Sequence, residues 1–258
     1  MNLKIIDAHT HVQFEQYDKD REGVIKRALD KEIGMINAGA DLKSSQEAVN
    51  LAHKYDGIWA TVGLHPTDAK KDLDKFDEIG KLAADDKVVG IGECGMDFYR
   101  EEDRNNRVIQ EELFIKHIKL SDQIKKPLVI HCREAFPGTF EILENHKDFL
   151  LKNAGIFHFF TGGIEEAKKA LNLGFSFTFG GLITYNRQFD EVIKYIPIEN
   201  ILIETDAPFV SPLSHRKERN EPSFVGEVLE SISVIKNMSL EETEKIIFKN
   251  TTDLFGVI

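Results

Sequence analysis

The chain has 258 residues, 41% of them hydrophobic and 30% charged, which is typical of a globular protein with one or two domains. Its formal net charge at pH 7 is −11, from 33 basic and 44 acidic residues. This charge argues against a protein that coats nucleic acid through broad phosphate neutralisation, but it leaves room for an enzyme that grips a few phosphates locally.

Short β-rich runs alternate with longer amphipathic ones along the chain. The eight candidate strands are residues 3–8, 34–37, 58–63, 88–92, 128–131, 155–159, 175–179 and 200–205. Helical patterns lie between them, most clearly over 107–124 and over 163–174, where Gly174 stands at the expected C-cap. Eight strand–helix units in about 250 residues are the usual allotment of a (β/α)8 TIM barrel, so we predict an α/β fold of that kind.

A doubly wound open sheet shares this alternation and is the structural rival. The first candidate strand is not followed by Gly-x-Gly-x-x-Gly, which is the commonest mark of that rival. Residues 222–258 have a helical pattern, with Ser239 as a candidate N-cap and Glu242 three positions later. No linker-like segment divides the sequence, so we predict a single domain over 1–258, a barrel with a C-terminal helical extension.

The sequence also predicts where the protein resides. It contains no apolar run of the roughly 20 residues that a membrane-spanning helix needs. The N-terminus lacks a basic segment followed by an apolar stretch, so we expect a cytoplasmic protein with no membrane association and no obligate protein partner. The two cysteines, Cys94 and Cys132, are expected to be reduced thiols and not a disulfide.

Polar residues stand where the candidate strands end. These endings read DAHTH, GLHP, IGECGMD, VIHCR, IFHFFTGG and LIETDAP. In a TIM barrel the C-terminal ends of the strands carry the chemistry, so the endings would meet at one rim. They would bring together four imidazoles and two carboxylates, from His9, His11, Glu93, His131, His158 and Asp206.

Any one of these histidines alone would be interpreted as a structural residue, but the joint pattern predicts a metal site. Buried imidazoles and carboxylates are costly unless they are paired or bound to metal. A nitrogen and oxygen set of this size can hold one ion with ligands to spare, or two ions bridged by a carboxylate. Cys94 and Cys132 directly follow Glu93 and His131, so strand alternation turns both thiols away from the site and makes them poor candidates for a nucleophile.

The sequence resembles the TatD family of metal-dependent hydrolases, within the amidohydrolase-like barrels. The matching segments occur in family order across almost the whole chain, as DAHTH (7–11), VGLHP (62–66), GIGECGMDFY (90–99), HCREA (131–135), HFFTGG (158–163), IETDAPF (203–209) and RNEP (219–222). One departure is Phe159, where the family commonly has cysteine. We expect this change to alter local packing and not the number of metals.

The resemblance implies a site for two divalent metal ions. The implied ligands are His9, His11 and Asp206 for the first ion, His131 and His158 for the second, and Glu93 as the bridge. Asp206 would also be the general base, because it could accept a proton from the activated water. Paired ions lower the pKa of water and stabilise both the attacking and the leaving oxygen. Such ligands suit Zn²⁺, Mn²⁺, Co²⁺ or Ni²⁺, whereas Mg²⁺ prefers oxygen and is less expected.

Residues near the rim are candidates for substrate contacts. The four chosen are His65, Tyr99, Arg133 and Arg216. Arginine forms bidentate contacts with phosphate, and seven of the nine arginines follow strands four, five, seven or eight. For Arg104 and Arg107 we prefer ion pairs with nearby carboxylates. His65 could contact a phosphate, hydrogen-bond to a ligand or be structural, and Tyr99 could stack on a base.

Asp7 shares a strand face with His9 and His11 but lies one step deeper. We therefore predict that it orients an imidazole and is not a third ligand.

The predicted function is metal-dependent deoxyribonuclease activity of the 3′-to-5′ exonuclease type, since an acidic body with an arginine rim suits a single-stranded DNA end. The alternative is hydrolysis of a carboxylic ester or amide, including the aminoacyl ester of tRNA. A third, non-enzymatic possibility is a scaffold that keeps metals for stability.

Overall fold

Eight parallel strands form one sheet in the computed structural model, which describes residues 3–257. Neighbours in the sheet follow chain order, and each of the seven pairings is parallel. The strands are Ile5–Thr10 (β1), Ile33–Ala38 (β2), Ile58–Val62 (β3), Val88–Asp97 (β4), Leu128–Arg133 (β5), Gly155–Phe157 (β6), Phe175–Phe179 (β7) and Ile201–Ile203 (β8). Every candidate strand from the sequence overlaps one of these, so the predicted strand pattern is confirmed.

Helices follow each strand, as a (β/α)8 barrel requires. They are Arg21–Asp30 (α1), Leu42–Lys54 (α2), Ala69–Asp72 (α3), Phe76–Leu82 (α4), Glu101–Asn105 (α5), Arg107–Ile124 (α6), Phe136–Asn145 (α7), Ile164–Asn172 (α8), Asp190–Tyr195 (α9), Val225–Lys236 (α10) and Leu240–Phe255 (α11). The Ser239 hydroxyl accepts a hydrogen bond from the backbone N–H of Glu242 at 3.2 Å, which confirms the predicted N-cap. Helices α10 and α11 occupy the predicted C-terminal extension over residues 222–258. That 1–258 is a single domain stays a prediction.

The barrel closes through the residues that follow β8. The backbone N–H of Asp206 donates to the carbonyl of His9 at 3.0 Å, and the N–H of His11 donates to the carbonyl of Ala207 at 2.9 Å. Because these bonds join the segment after β8 to β1, they fix Asp206 beside the two histidines. Closure of the barrel thus assembles part of the site.

A small apolar cluster fills the barrel below the strand ends. It joins Phe255 of α11 to side chains from six strands, and the strand members are Ile6, Ala8, Ile36, Val89, Val129, Ile156 and Leu202. On β1, β4, β5, β6 and β8 these apolar side chains precede the polar strand endings. They therefore form an apolar layer beneath the polar residues of the rim. The remaining core lies between the sheet and the surrounding helices. Among residues 3–257, no helix is long and apolar enough to cross a membrane.

Candidate metal centre

The polar strand endings converge at one rim of the barrel. His9 and His11 come from β1 and the residue after it, Glu93 from β4, His131 from β5, His158 from the residue after β6, and Asp206 from the third residue after β8. All six side chains are buried or nearly so. Their placement brings together the six residues that the sequence analysis selected.

The first group of donor atoms contains the Nε2 atoms of His9 and His11, Oδ1 of Asp206 and Oε2 of Glu93. The two Nε2 atoms lie 3.1 Å apart, and Oδ1 of Asp206 is 3.3 Å from His11 and 3.8 Å from His9. Oε2 of Glu93 is 3.6 Å from His9 and 3.7 Å from His11. Metal–ligand distances of about 2.0–2.2 Å place tetrahedral donors roughly 3.4 Å apart, so this group fits one cation.

The second group surrounds the other oxygen of Glu93. Oε1 of Glu93 lies 2.8 Å from Nε2 of His158 and 2.9 Å from Nδ1 of His131, and these two nitrogens are 3.2 Å apart. Nε2 of His65 is also 3.2 Å from the same oxygen. The two oxygens of Glu93 therefore face two separate groups of nitrogen donors, which is the geometry of a bridging carboxylate.

At this rim, burial and the neighbouring imidazoles have opposite effects on the pKa values of the carboxylates. Burial alone would raise the pKa of Glu93, but the surrounding imidazoles, His65 foremost, hold it well below its usual value. Burial would likewise raise the pKa of Asp206, and contact with His11 lowers it instead. Both carboxylates are therefore ionised at neutral pH and offer the negative charge that a bound cation neutralises.

Among residues 3–257, the Asp7 carboxylate hydrogen-bonds to Thr205 and to the backbone N–H of His9 and not to an imidazole ring, so the structure lends no support to the predicted role in orienting a ring. Its carboxylate is fully buried and accepts two hydrogen bonds from Thr205, one from the backbone N–H at 2.9 Å and one from the hydroxyl at 2.5 Å. It also accepts a long bond from the backbone N–H of His9 at 3.3 Å. Asp7 thus fastens the turn before Asp206 to β1. Strand alternation placed Asp7 near the site but could not show that its partner, Thr205, comes from the segment after β8.

A cavity of about 850 Å³ opens above the two donor groups. Three of the four predicted substrate contacts line it, namely His65, Tyr99 and Arg133. Arg100, which sequence reasoning did not single out, lines it as well. The fourth predicted contact, Arg216, lies outside this lining, with its guanidinium carbon 4.0 Å from the centre of the Tyr185 ring. Cavities of this size hold a small molecule or a nucleotide.

Cys94 lies in the core, as strand alternation predicts, whereas Cys132 lines the cavity. Cys94 is completely buried in the core, and Cys132 packs against the Thr139 hydroxyl at 3.3 Å. Burial raises the pKa of Cys132 to about 12, so its thiol stays protonated at neutral pH. Neither residue is suited to be a nucleophile.

Comparison with known proteins identifies the family. The family model described as TatD related DNase matches residues 6–256. The chain belongs to the TatD family. The predicted resemblance is confirmed over nearly the whole chain, and with it the class of metal-dependent hydrolases.

Two TatD-family relatives and one solved structure illustrate the similarity. YabD of Bacillus subtilis, named an uncharacterized metal-dependent hydrolase, is 37% identical over 260 residues that cover 98% of this chain and 99% of YabD. The protein named 3′-5′ ssDNA/RNA exonuclease TatD in Shigella flexneri is 31% identical over 262 residues, with 98% and 99% of the two chains covered. The crystal structure of the TatD homologue YjjV from Escherichia coli K12 matches with a TM-score of 0.91, at 27% identity over 100% of both chains.

The departure from the TatD pattern at Phe159 has a structural counterpart. Phe159 has a φ of +44° and lines the cavity beside His158. A Cβ atom on Gly180 would lie 2.8 Å from the Phe159 ring, so the ring fits only because residue 180 is glycine. The ring therefore forms part of the cavity wall, and its effect on local packing relative to cysteine stays a prediction.

Two buried carboxylates beside the donors escaped the sequence analysis. Oδ2 of Asp97 lies 2.8 Å from Nε2 of His131. The side-chain oxygen of Gln110 accepts a hydrogen bond from the Asp97 backbone N–H at 2.9 Å. Asp97 follows Glu93 by four residues on β4, so period-two alternation could have placed it on the same face. Oε1 of Glu204 lies 3.6 Å from Nδ1 of His158. Glu204 follows Leu202 by two residues in the predicted strand 200–205, so the same alternation could have placed it on the inner face as well.

Proposed function

We propose that this TatD-family protein is a divalent-metal-dependent deoxyribonuclease that removes nucleotides from the 3′ end of single-stranded DNA. The observation that carries the proposal is the division of the Glu93 carboxylate between two donor groups at the floor of a large cavity. His9, His11, Asp206 and Glu93 would hold one ion, and Glu93, His131 and His158 the other. Bound together, such ions supply Lewis-acid activation of water and stabilise charge on the leaving oxygen.

Asp206 is the proposed general base. Its side chain is 16% exposed and lines the cavity, so it can face both an ion and an incoming water. Because contact with His11 holds the pKa of Asp206 below its usual value, the carboxylate is ionised at neutral pH, which is the state that can accept a proton. Glu93 lies deeper and is enclosed by histidines, so it acts in holding the ions together.

The cavity wall supplies the proposed contacts with a nucleotide. The guanidinium carbon of Arg133 lies 3.6 Å from the centre of the Tyr99 ring, and Tyr99 is 51% exposed. Such a pair offers a cation for phosphate and a flat surface for a base. Nε2 of His65 lies 3.2 Å from Oε1 of Glu93, and its Nδ1 lies 2.7 Å from the Thr67 hydroxyl, so both ring nitrogens are engaged and the proposed role of His65 is to position the Glu93 carboxylate. The name of the Shigella flexneri relative, an exonuclease for single-stranded DNA and RNA, supports this substrate class.

The test is digestion of end-labelled single-stranded DNA with Mn²⁺, Zn²⁺, Co²⁺, Ni²⁺ or Mg²⁺. We expect mononucleotides released from the 3′ end by the wild type and a loss of that activity in Glu93→Gln. Glu112→Gln is the matched control, because Glu112 is 56% exposed on helix α6, away from the rim. Intact nucleic acid, together with amino acid freed from aminoacyl-tRNA, would instead support the ester hydrolase. Equal activity in Glu93→Gln and the wild type would contradict the bridging role.

A further inference from the structure

The arginines of this acidic protein fall into two groups. Six of the nine form ion pairs with carboxylates, namely Arg21, Arg27, Arg104, Arg107, Arg187 and Arg219. Within residues 3–257, the other three have no carboxylate at ion-pair distance, and these are Arg100, Arg133 and Arg216. All three follow or end barrel strands at the rim that carries the metal centre. The arginines that are free to meet phosphate therefore lie at the rim of the barrel.

Two of the unpaired arginines lie over tyrosine rings. Arg133 covers Tyr99 at 3.6 Å, and Arg216 covers Tyr185 at 4.0 Å. A third such contact, of Arg219 over Tyr17, differs because Arg219 is paired with Asp20 and the ring is fully buried. Only the first two combinations offer both an unneutralised cation and a ring that reaches the surface.

The two combinations stand at different sides of the metal centre. Tyr99 lies two residues after β4, Arg133 ends β5, and both line the catalytic cavity. Tyr185 and Arg216 belong to the loops after β7 and β8, which are joined where the Thr184 hydroxyl accepts a hydrogen bond from the N–H of Leu213 at 2.8 Å. The second combination is thus held in place but lies beyond the cavity lining.

Exposed apolar side chains occupy the loop between Asp206 and Arg216. Phe209 is 44% exposed, Val210 is 38% exposed and Leu213 is 58% exposed. The first two also line the cavity. Apolar surface left open beside a catalytic cavity indicates contact with a ligand, and flat aromatic groups suit stacked bases. The loop therefore offers a path from the cavity to the second combination.

We propose that Tyr185 and Arg216 form a second nucleotide-binding platform, which holds a base and a phosphate of a single-stranded substrate away from the scissile bond. The inference rests on the proposed nuclease function and specifies its substrate as a strand longer than the cavity can enclose. The ring stacks on a base and the unpaired guanidinium contacts the adjacent phosphate. With a net charge of −11 repelling a polyanion elsewhere, such local contacts dominate binding.

The platform predicts a dependence on substrate length. We compare kcat/KM for a thymidine dinucleotide, too short to span both sites, with that for a decanucleotide. In Arg216→Gln and in Tyr185→Leu, the decanucleotide-to-dinucleotide ratio should fall about 5- to 150-fold, the range expected for one lost stacking contact. Arg216→Lys should recover part of it by restoring the charge. Arg187→Gln, in the loop after β7 but already paired with Asp190, should keep the wild-type ratio.

Binding without turnover gives a second measurement. Fluorescence anisotropy of a labelled decanucleotide in EDTA should show weaker binding in both variants. The slope of log affinity against log salt should shrink by about 0.7 in Arg216→Gln and stay unchanged in Tyr185→Leu. A wild-type length ratio and wild-type affinity in both variants would overturn the platform. Failure of the wild type to cleave any oligonucleotide, with binding still lost in the variants, would overturn the nuclease proposal alone.

Discussion

Glu204 lies beside His158, with its Oε1 atom 3.6 Å from Nδ1 of that ring. The His158 ring stacks on His9 with centroids 4.0 Å apart, and among the described residues the Nδ1 atoms of both rings have no hydrogen-bond partner. The other oxygen of Glu204 accepts a bond from the Thr178 hydroxyl at 2.5 Å. One atom each of His9, His158 and Glu204 lies within 4.8 Å of the others, so this buried carboxylate is close to one ring from each donor group and can orient both.

Replacing Glu204 by glutamine should weaken metal binding. Loss of a carboxylate behind a ligand histidine typically costs about 10- to 100-fold in metal affinity, so we expect an effect in that range. Isothermal titration with Zn²⁺ or Mn²⁺ measures it directly. Glu199→Gln is the matched control, because Glu199 is exposed in the turn before β8. Equal affinities for Glu204→Gln and the wild type would remove the orienting role.

Replacing Glu93 by glutamine should change the number of bound ions. A glutamine keeps one oxygen, but its amide nitrogen cannot serve as the second donor, so the two groups lose their shared ligand. We expect about two ions per chain in the wild type and one or fewer in Glu93→Gln, by elemental analysis after gel filtration. A count unchanged by the substitution would mean that Glu93 does not bridge.

Replacing Asp7 by alanine should destabilise the fold. It would leave the buried N–H and hydroxyl of Thr205 without their acceptors, and each such group costs about 1–3 kcal/mol. We expect the free energy of unfolding in urea to fall by about 3 kcal/mol, and by less in Asp7→Asn, which keeps one oxygen. A change below about 0.5 kcal/mol in the alanine variant, the size of an ordinary surface substitution, would contradict the fastening role.

His117 should make stability depend on pH. It is fully buried, accepts a hydrogen bond from the N–H of Leu64 at 3.1 Å and donates one to the carbonyl of Leu113 at 2.8 Å. Burial lowers its pKa to about 4, against about 6.5 in an unfolded chain. Between these values the unfolded chain binds more protons, so the free energy of unfolding falls as pH decreases from about 6.5 to about 4.

The contribution of His117 to the pH dependence of stability is obtained by comparing the wild type with His117→Gln. Urea unfolding in EDTA at neutral pH and near pH 4.5 gives the pH-dependent loss for the wild type and for His117→Gln. The loss should be smaller in the variant by about 2–3 kcal/mol, since glutamine does not titrate. If both proteins lost the same free energy, His117 would not be neutral in the folded state.

The sequence predicted the strands well because each is an apolar run bounded by turn residues. Strand ends were less accurate where chain direction changes at the site. β4 continues to Asp97, beyond the predicted end at residue 92, whereas β6 and β8 stop at Phe157 and Ile203. Just beyond those ends, Phe159 and Asp206 adopt positive φ values of 44° and 53°. Such conformations in residues other than glycine depend on tertiary contacts, which local sequence does not reveal.

The six donors could be predicted because a single rule places them, namely that parallel strands end at one rim. The contacts that position these donors could not be predicted, because they depend on which distant segments of the chain meet. Asp7 and Thr205 lie 198 positions apart in the chain and meet only when the barrel closes. Arg216 was predicted as a substrate contact from its position after β8, but only the structure reveals the Tyr185 ring beneath it.

The central claim is that Glu93 joins two ions, and anomalous diffraction from crystals soaked in Mn²⁺ or Zn²⁺ tests it most directly. The account predicts two peaks about 4 Å apart, one beside each oxygen of Glu93, with His9, His11 and Asp206 at the first and His131 and His158 at the second. A single peak, or a second peak that does not contact Glu93, would contradict it.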